Sequence, residues 1–187
     1  MEKKELKPNT ALMPVPVTLV SAIDEEGRPN IITLAWVGIV ASVPPQISIS
    51  IRESRFSHGL IMKSKEFVLN IPGIDLLRKT DICGSVSGRD VQKFEEYNFT
   101  ALEATKVKAP LIKECPINME CKVSETLELG SHTMFVAEIL ALHADEEILT
   151  DGKIDPAKAK PIAYAPHDYW NMKEKIGTYG FSMKSKS

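Results

Sequence analysis

The sequence predicts a mainly β protein: a closed or nearly closed antiparallel barrel with a few short inserted helices. Two observations carry that prediction. Strand-like runs follow one another across short turn signals along most of the chain, the pattern of an all-β barrel. Strands also fail to alternate regularly with long helices, which disfavours a doubly wound parallel sheet. At 187 residues the chain reads as a single domain spanning 1–187, able to hide roughly 70% of its unfolded surface.

Residues 1–14 read as an entry segment punctuated by Pro8 and Pro14, with 1–10 flexible. Residues 17–23 place Val17, Leu19 and Ile23 against Thr18, Val20 and Ala22, a first strand. The polar stretch Asp24-Glu25-Glu26-Gly27-Arg28-Pro29 reads as a hairpin connection. Residues 30–40 form a second, more continuously apolar and more buried run, ended by Pro44-Pro45.

The next run, QISISIR over 46–52, alternates cleanly. Ile47, Ile49 and Ile51 share one face; Gln46, Ser48, Ser50 and Arg52 share the other, so water or a polar ligand is expected there. Residues 57–62 suggest a short helix with Ser54 or Ser57 as its cap. Residues 66–71 form another strand, stopped by Pro72, and 74–83 a helix. Residues 84–90 read as a loop, 91–97 as a short helix and 98–116 as irregular. Two long strands over 117–129 and 132–142 meet at Gly130-Ser131, a tight hairpin signal. A polar stretch over 146–160, a last short strand over 161–165, an aromatic segment over 169–179 and a flexible end over 183–187 complete the chain.

Several function classes are disfavoured. The formal net charge of −2 offers no basic face for nucleic acid. No apolar run reaches the roughly 20 residues of a membrane helix. The start, MEKKELKPNT, lacks the apolar core of a secretory signal, so a cytoplasmic location is expected. The cysteines, Cys83, Cys115 and Cys121, are odd in number and form no C-x-x-C pair. Buried thiols in a reducing compartment follow, with a reactive Cys83 beside Gly84 as the alternative. Four dispersed histidines offer no metal motif, so no metal site is expected. Gly84-Ser85-Val86-Ser87-Gly88 is too short for a Walker loop, and there is no G-x-G-x-x-G and no G-x-S-x-G elbow.

What remains is a polar cluster in and after the central strands: Asn30, Thr33, Ser50, Arg52, Ser54, Arg55 and Ser57. Two arginines and several hydroxyls near a helix start suit a phosphate, which takes charge from guanidinium groups and directional donors from hydroxyls and helix-end N–H groups. The same residues also fit a solvated strand end with an ordinary helix cap.

In order, Asn30-x-x-Thr33-x-x-Trp36, Pro44-Pro45, Ser50-x-Arg52-x-Ser54-Arg55-x-Ser57 and Phe67-Val68-Leu69-Asn70-Ile71-Pro72 resemble the flavin reductase-like proteins. Ser87-Gly88-Arg89-Asp90 before Lys93-Phe94, Glu120-Cys121 and Gly130-Ser131-His132 continue the resemblance. Tyr169-Trp170 with Lys175-Ile176-Gly177 is most similar to the flavoredoxin branch. The resemblance spans roughly residues 10–182. It implies an antiparallel split β-barrel, the FMN-binding split barrel, in a homodimer that holds FMN near the subunit interface.

Within that resemblance Thr33, Leu34, Ala35 and Trp36 run beside the isoalloxazine ring, with backbone N–H groups and Thr33 Oγ donating to it. Ser50, Ile51 and Arg52 line the ribityl chain and phosphate, and Arg55 and Ser57 complete the anion site. Asn30 touches the flavin or closes the preceding turn; Asn70 bonds near the ring or braces the backbone. Trp36 is either a flavin contact or a core or interface residue. Tyr169 and Trp170 cover the partner's flavin or pack the dimer. His132 lies towards the flavin or incoming nicotinamide and orients it, the one residue assigned to the chemistry. The implied function is an FMN-dependent oxidoreductase that takes hydride from NAD(P)H and passes electrons to free flavin, ferric iron or a redox protein. The alternatives are a flavoredoxin-type electron carrier without NAD(P)H turnover and a non-redox flavin-binding barrel dimer.

Overall fold

A computed structural model describes residues 1–183. Its strands are β1 (Val15–Pro16), β2 (Thr18–Ile23), β3 (Pro29–Leu34), β4 (Val37–Ser42), β5 (Pro45–Ile51), β6 (Glu66–Ile71), β7 (Ala101–Leu102), β8 (Leu111–Ile112), β9 (Ile117–Leu129), β10 (His132–Ala144), β11 (Leu149–Thr150), β12 (Lys153–Ile154), β13 (Ile162–Ala165) and β14 (Asp168–Asn171). The helices are α1 (Phe56–Ser64), α2 (Leu77–Ser85), α3 (Lys93–Glu96) and α4 (Pro156–Ala159). No helix among the described residues is long and apolar enough to cross a membrane. The expected flexible end at 183–187 lies, apart from Met183, outside the described residues.

Seven strands form one antiparallel sheet in the order β3-β2-β6-β9-β10-β5-β4. A core of Ile49, Ile51, Ile61, Phe67 and Phe135, all buried, lies against it. The period-two reading of 46–52 holds: Ile47, Ile49 and Ile51 are buried, while Ser48 and Ser50 stay half-buried. The expected β9–β10 hairpin forms, with His132 opposite Leu129 and Gly130 at φ 61°, a left-handed backbone that glycine adopts without strain.

The apolar run over 30–40 is not one strand. It breaks at Ala35-Trp36 into β3, paired with β2, and β4, paired with β5. These are the two ends of the sheet, so the chain leaves one edge and enters the other across two residues. Continuous apolarity hid the corner because both halves are apolar. Ser50 N–H donates to the Trp36 carbonyl at 2.9 Å, fixing the corner against β5.

Other boundaries moved for local reasons. The N-cap position of α1 is Arg55, and neither Ser54 nor Ser57 caps it. Ser57 is buried in the first turn, where its hydroxyl accepts the Asn30 amide at 2.7 Å. The helix α2 runs through Gly84 and Ser85, which were expected in a loop. A Cβ on Gly84 would stand 3.1 Å from Thr33 Cβ, so the glycine lets α2 lie close on β3.

The segment 98–116 contains the short β7–β8 pair and is anchored rather than irregular throughout. The side chain of Glu120, fully buried on β9, accepts from Thr105 N and Oγ1 at 2.9 Å, from Val107 N at 3.1 Å and from Lys106 N. His143 Nε2 lies 2.7 Å from the same carboxylate. Burial alone would raise this carboxyl; the bonds from Thr105, His143 and Lys106 hold it down at about 2. Finally, β13 is not the last strand. A turn with His167 at φ 72° leads into β14, placing Tyr169 opposite Tyr164 in a three-stranded sheet β1-β13-β14.

Candidate functional site

The corner between β3 and β4, the end of β5, the start of α1 and the loop after α2 converge on three adjoining cavities. The first and second share Ile32, Arg55 and Gly84; the second and third share Trp36 and Ser50.

The first cavity, about 150 Å³, is cationic. Arg55, Arg89 and Lys93 line it with Ser54, Ser57 and Ser87, and among the described residues that line it none is acidic. The α1 N-terminus opens here without a side-chain cap, leaving its first N–H groups for a ligand. Arg89 is held by Nη1 donating to the Ser54 carbonyl at 3.0 Å and by the Phe56 ring beneath its guanidinium. Lys93 is 2% exposed. Its Nζ donates to the carbonyls of Ile31 at 2.7 Å and Cys83 at 2.6 Å, bracing β3 against α2. Burial lowers this ammonium to about 8; the Cys83 thiol opposes the shift and the Arg55 charge adds to it.

Asn30 is also buried here. Its Nδ2 is spent on Ser57, but Oδ1 has no partner. A buried acceptor without a donor is costly, so the cavity suits a hydroxyl-bearing ligand. Gly88 closes the wall: a Cβ there would stand 2.6 Å from Asn30 Cγ and 2.7 Å from Phe56 Cδ1.

The second cavity, about 150 Å³, is lined by Thr33, Leu34, Ser50, Ile51, Arg52 and His132. Thr33 Oγ1 donates to the Thr80 carbonyl at 2.5 Å, so its proton is already committed within the protein. His132 lies parallel to Trp36, with ring centroids 6.3 Å apart and planes 1° apart, and its Nδ1 is 2.8 Å from Ser131 Oγ. Burial and the Arg52 charge both push its pKa below the usual imidazole value. Trp36 is 45% exposed, so it is no core residue of this chain.

The third cavity, about 380 Å³, is lined by Ala35, Trp36, Val37, Val15, Tyr164 and Pro166 among others. Among the described residues that line it none is charged.

The fold therefore gathers Asn30, Arg55 and Ser57 in the first cavity, Thr33, Leu34, Ser50, Ile51, Arg52 and His132 in the second, and Ala35 in the third, with Trp36 between the last two. Asn70 stands apart. It is fully buried, its Nδ2 donates to the Leu19 carbonyl at 2.9 Å, and its Oδ1 accepts from Ile112 N and Asn118 Nδ2. This saturated amide braces β6 and lines none of the three cavities, which removes it from the cofactor-binding set. Cys83 lines the first cavity but is fully buried, and burial pushes its thiol up to about 11, the opposite of an activated nucleophile.

Sequence reasoning missed Lys93, Arg89, Ser87 and Tyr164 as lining residues. Ser87-Gly88-Arg89 and Lys93 were visible as a motif, but only the fold shows that they face Arg55. Tyr164 carried no local signal. Among the described residues no group of three or more His, Cys, Asp or Glu is placed to hold a metal.

The flavin reductase like domain family matches residues 10–172, and the chain belongs to that family. Within it the chain is similar to flavoredoxins. The structure of flavoredoxin from Desulfovibrio vulgaris (Miyazaki F) superposes with a TM-score of 0.92 at 33% identity, covering 98% of this chain and 100% of that one. Flavoredoxin from Methanosarcina acetivorans gives 0.90 at 34% identity, with the same coverages. An uncharacterized protein of Archaeoglobus fulgidus is 40% identical over 138 residues, 73% of this chain and 75% of its own. The split-barrel expectation is met by this architecture and these neighbours.

Proposed function

We propose that the protein is an FMN-dependent oxidoreductase. The single observation that carries this reading is the polarity sequence of the adjoining cavities: a cationic one, then a mixed polar one where Arg52, Arg55 and His132 stand with the hydroxyls of Thr33 and Ser50, then one lined by no charged residue. FMN has the same sequence, from phosphate dianion through ribityl chain to a flat, largely apolar ring. When bound, the flavin supplies the redox chemistry itself, accepting and releasing one or two electrons.

The residues of this chain then bind and orient. Arg55, Arg89 and the α1 N-terminus hold the phosphate, and buried Lys93 supplies charge beneath it. Asn30 Oδ1 gains its missing donor from a ribityl hydroxyl, and Ser50, Ile51 and Arg52 flank the chain. Backbone groups of Thr33, Leu34 and Ala35 meet the polar edge of the ring. Thr33 Oγ serves as acceptor there, since its proton belongs to Thr80. Trp36 and Tyr164 wall the ring. His132, kept neutral at physiological pH by burial and Arg52, orients the incoming partner rather than moving a proton.

Ile39, Val40 and Val43 on and beside the edge strand β4 are exposed. We read that apolar edge as part of a homodimer interface. The electron donor is NAD(P)H. The second reading, an electron carrier, is favoured by the likeness to flavoredoxins over nearly the whole chain.

Reconstitution with FMN followed by anaerobic titration separates these. Rapid bleaching by NADH or NADPH supports the reductase. No bleaching by either, with reduction by an iron–sulfur protein, supports the carrier. Protein that stays colourless after incubation with FMN refutes both.

A further inference from the structure

Tyr169 lines none of the three cavities, yet it connects two of their walls. It sits on β14 opposite Tyr164 of β13, and the rings meet edge-on at 6.0 Å and 66°. Tyr164 lines the apolar cavity. The Tyr169 hydroxyl reaches across to α2 and donates to Asp81 Oδ1 at 2.9 Å. Asp81 adjoins Thr80, whose carbonyl holds the Thr33 hydroxyl, and the same helix packs through Gly84 against Thr33. One hydroxyl thus ties the Tyr164 wall to the helix that backs the middle cavity. Burial, with the Asp81 bond adding to it, pushes Tyr169 up to about 12, so it stays a proton donor across the physiological range.

We propose that Tyr169, locked to Asp81, is a positioning residue that sets Tyr164 against the flavin ring. The inference rests on the FMN reading above. The Tyr169 hydroxyl is fixed by its bond to Asp81, and the Tyr164 ring meets the Tyr169 ring edge-on. Freeing Tyr169 lets both rings move away from the ring cavity without removing any atom that touches the ligand.

The test compares wild type, Tyr169→Phe, Asp81→Asn and Asp81→Ala by FMN titration, by fluorescence yield of the bound flavin and by thermal unfolding of the ligand-free protein. Tyr169→Phe and Asp81→Ala are expected to raise the FMN Kd about threefold to tenfold, in line with loss of one hydrogen bond acting indirectly. They are also expected to brighten the bound flavin, because Tyr164 would quench it less once its ring moves away, Trp36 being unchanged in every variant. Asp81→Asn keeps an acceptor oxygen and should stay near wild type. Wild-type quenching and Kd in both Tyr169→Phe and Asp81→Ala overturn the proposal. So does a fall in melting temperature with no change in either flavin readout, which marks a merely structural bond. If wild type itself takes up no FMN, the FMN reading fails first and carries this one with it. If wild type binds and the variants match it, only the Tyr169 assignment fails.

Discussion

Replacing Lys93 with methionine should weaken flavin binding, while two opposing effects bound its effect on the stability of the fold. The ammonium is 2% exposed and sits at about 8 instead of the ordinary 10.5. That displacement corresponds to roughly 3 kcal/mol against the charged form in the ligand-free protein near neutral pH. Methionine removes this cost. It also strips the donor from the Ile31 and Cys83 carbonyls, a loss of about 1–3 kcal/mol for each acceptor left dry. The two effects oppose, so ligand-free stability should lie between about 1 kcal/mol above and about 3 kcal/mol below wild type. FMN loses a buried cation beneath its phosphate, about 2 kcal/mol or roughly 30-fold in Kd.

The pH dependence follows from the sign of the shift. The folded value lies below the unfolded one, so between about 8 and 10.5 the unfolded chain holds more protons. Wild-type ligand-free protein should therefore gain stability as pH rises through that window, and Lys93→Met should not. FMN affinity of wild type should fall over the same window. Urea unfolding at pH 7 and 9.5, with FMN titrations at both, measures all of this. An unchanged FMN Kd in Lys93→Met, or a loss well above about 3 kcal/mol in ligand-free stability, refutes the reasoning.

Two further predictions rest on a tight glycine and on a buried carboxylate. Gly88→Ala puts a methyl against Asn30 Cγ and Phe56 Cδ1 at distances that real Cβ atoms do not show; it should cost about 1–3 kcal/mol by overpacking and turn Asn30 away from Ser57. Differential scanning calorimetry and FMN titration read both effects, and a wild-type melting temperature would sink the contact. Glu120→Gln should destabilise at pH 7 by about 3 kcal/mol, the difference between a carboxyl held at about 2 and one at 4.5. Because the folded value is depressed, that stability is complete above about 4.5 and fades as pH falls towards 2. The gap between wild type and Glu120→Gln in urea unfolding should therefore narrow to about half by pH 3, and a pH-independent gap would count against the clamp.

Much of the fold was legible because its strands carry local signals. The alternation of Ile47, Ile49 and Ile51 dictated which side of β5 faces the core, and Gly130-Ser131 dictated the β9–β10 hairpin. The corner at Ala35-Trp36 was not legible, because a strand that ends to change sheet edges need not change its polarity. Asn70 had two readings in the sequence, a contact near the ring or a brace of the backbone. A buried Asn near a polar cluster looks like a ligand contact, and only its three-dimensional neighbours, Leu19, Ile112 and Asn118, reveal a saturated brace.

By itself the sequence determined the kind of protein: an antiparallel barrel of the flavin reductase-like family, with Arg52, Arg55 and Ser57 pointing to an anion. Those features are short-range and periodic, so they survive in one dimension. The tertiary structure decided where the positive charge is gathered. Arg89 and Lys93 share one stretch of chain while Arg55 lies on another, and like charges repel, so no local pattern announces the three as a set. Only the packing of α2 on β3 through Gly84, and of the Gly88 turn on Asn30, brings these cations together and leaves the cavity between them.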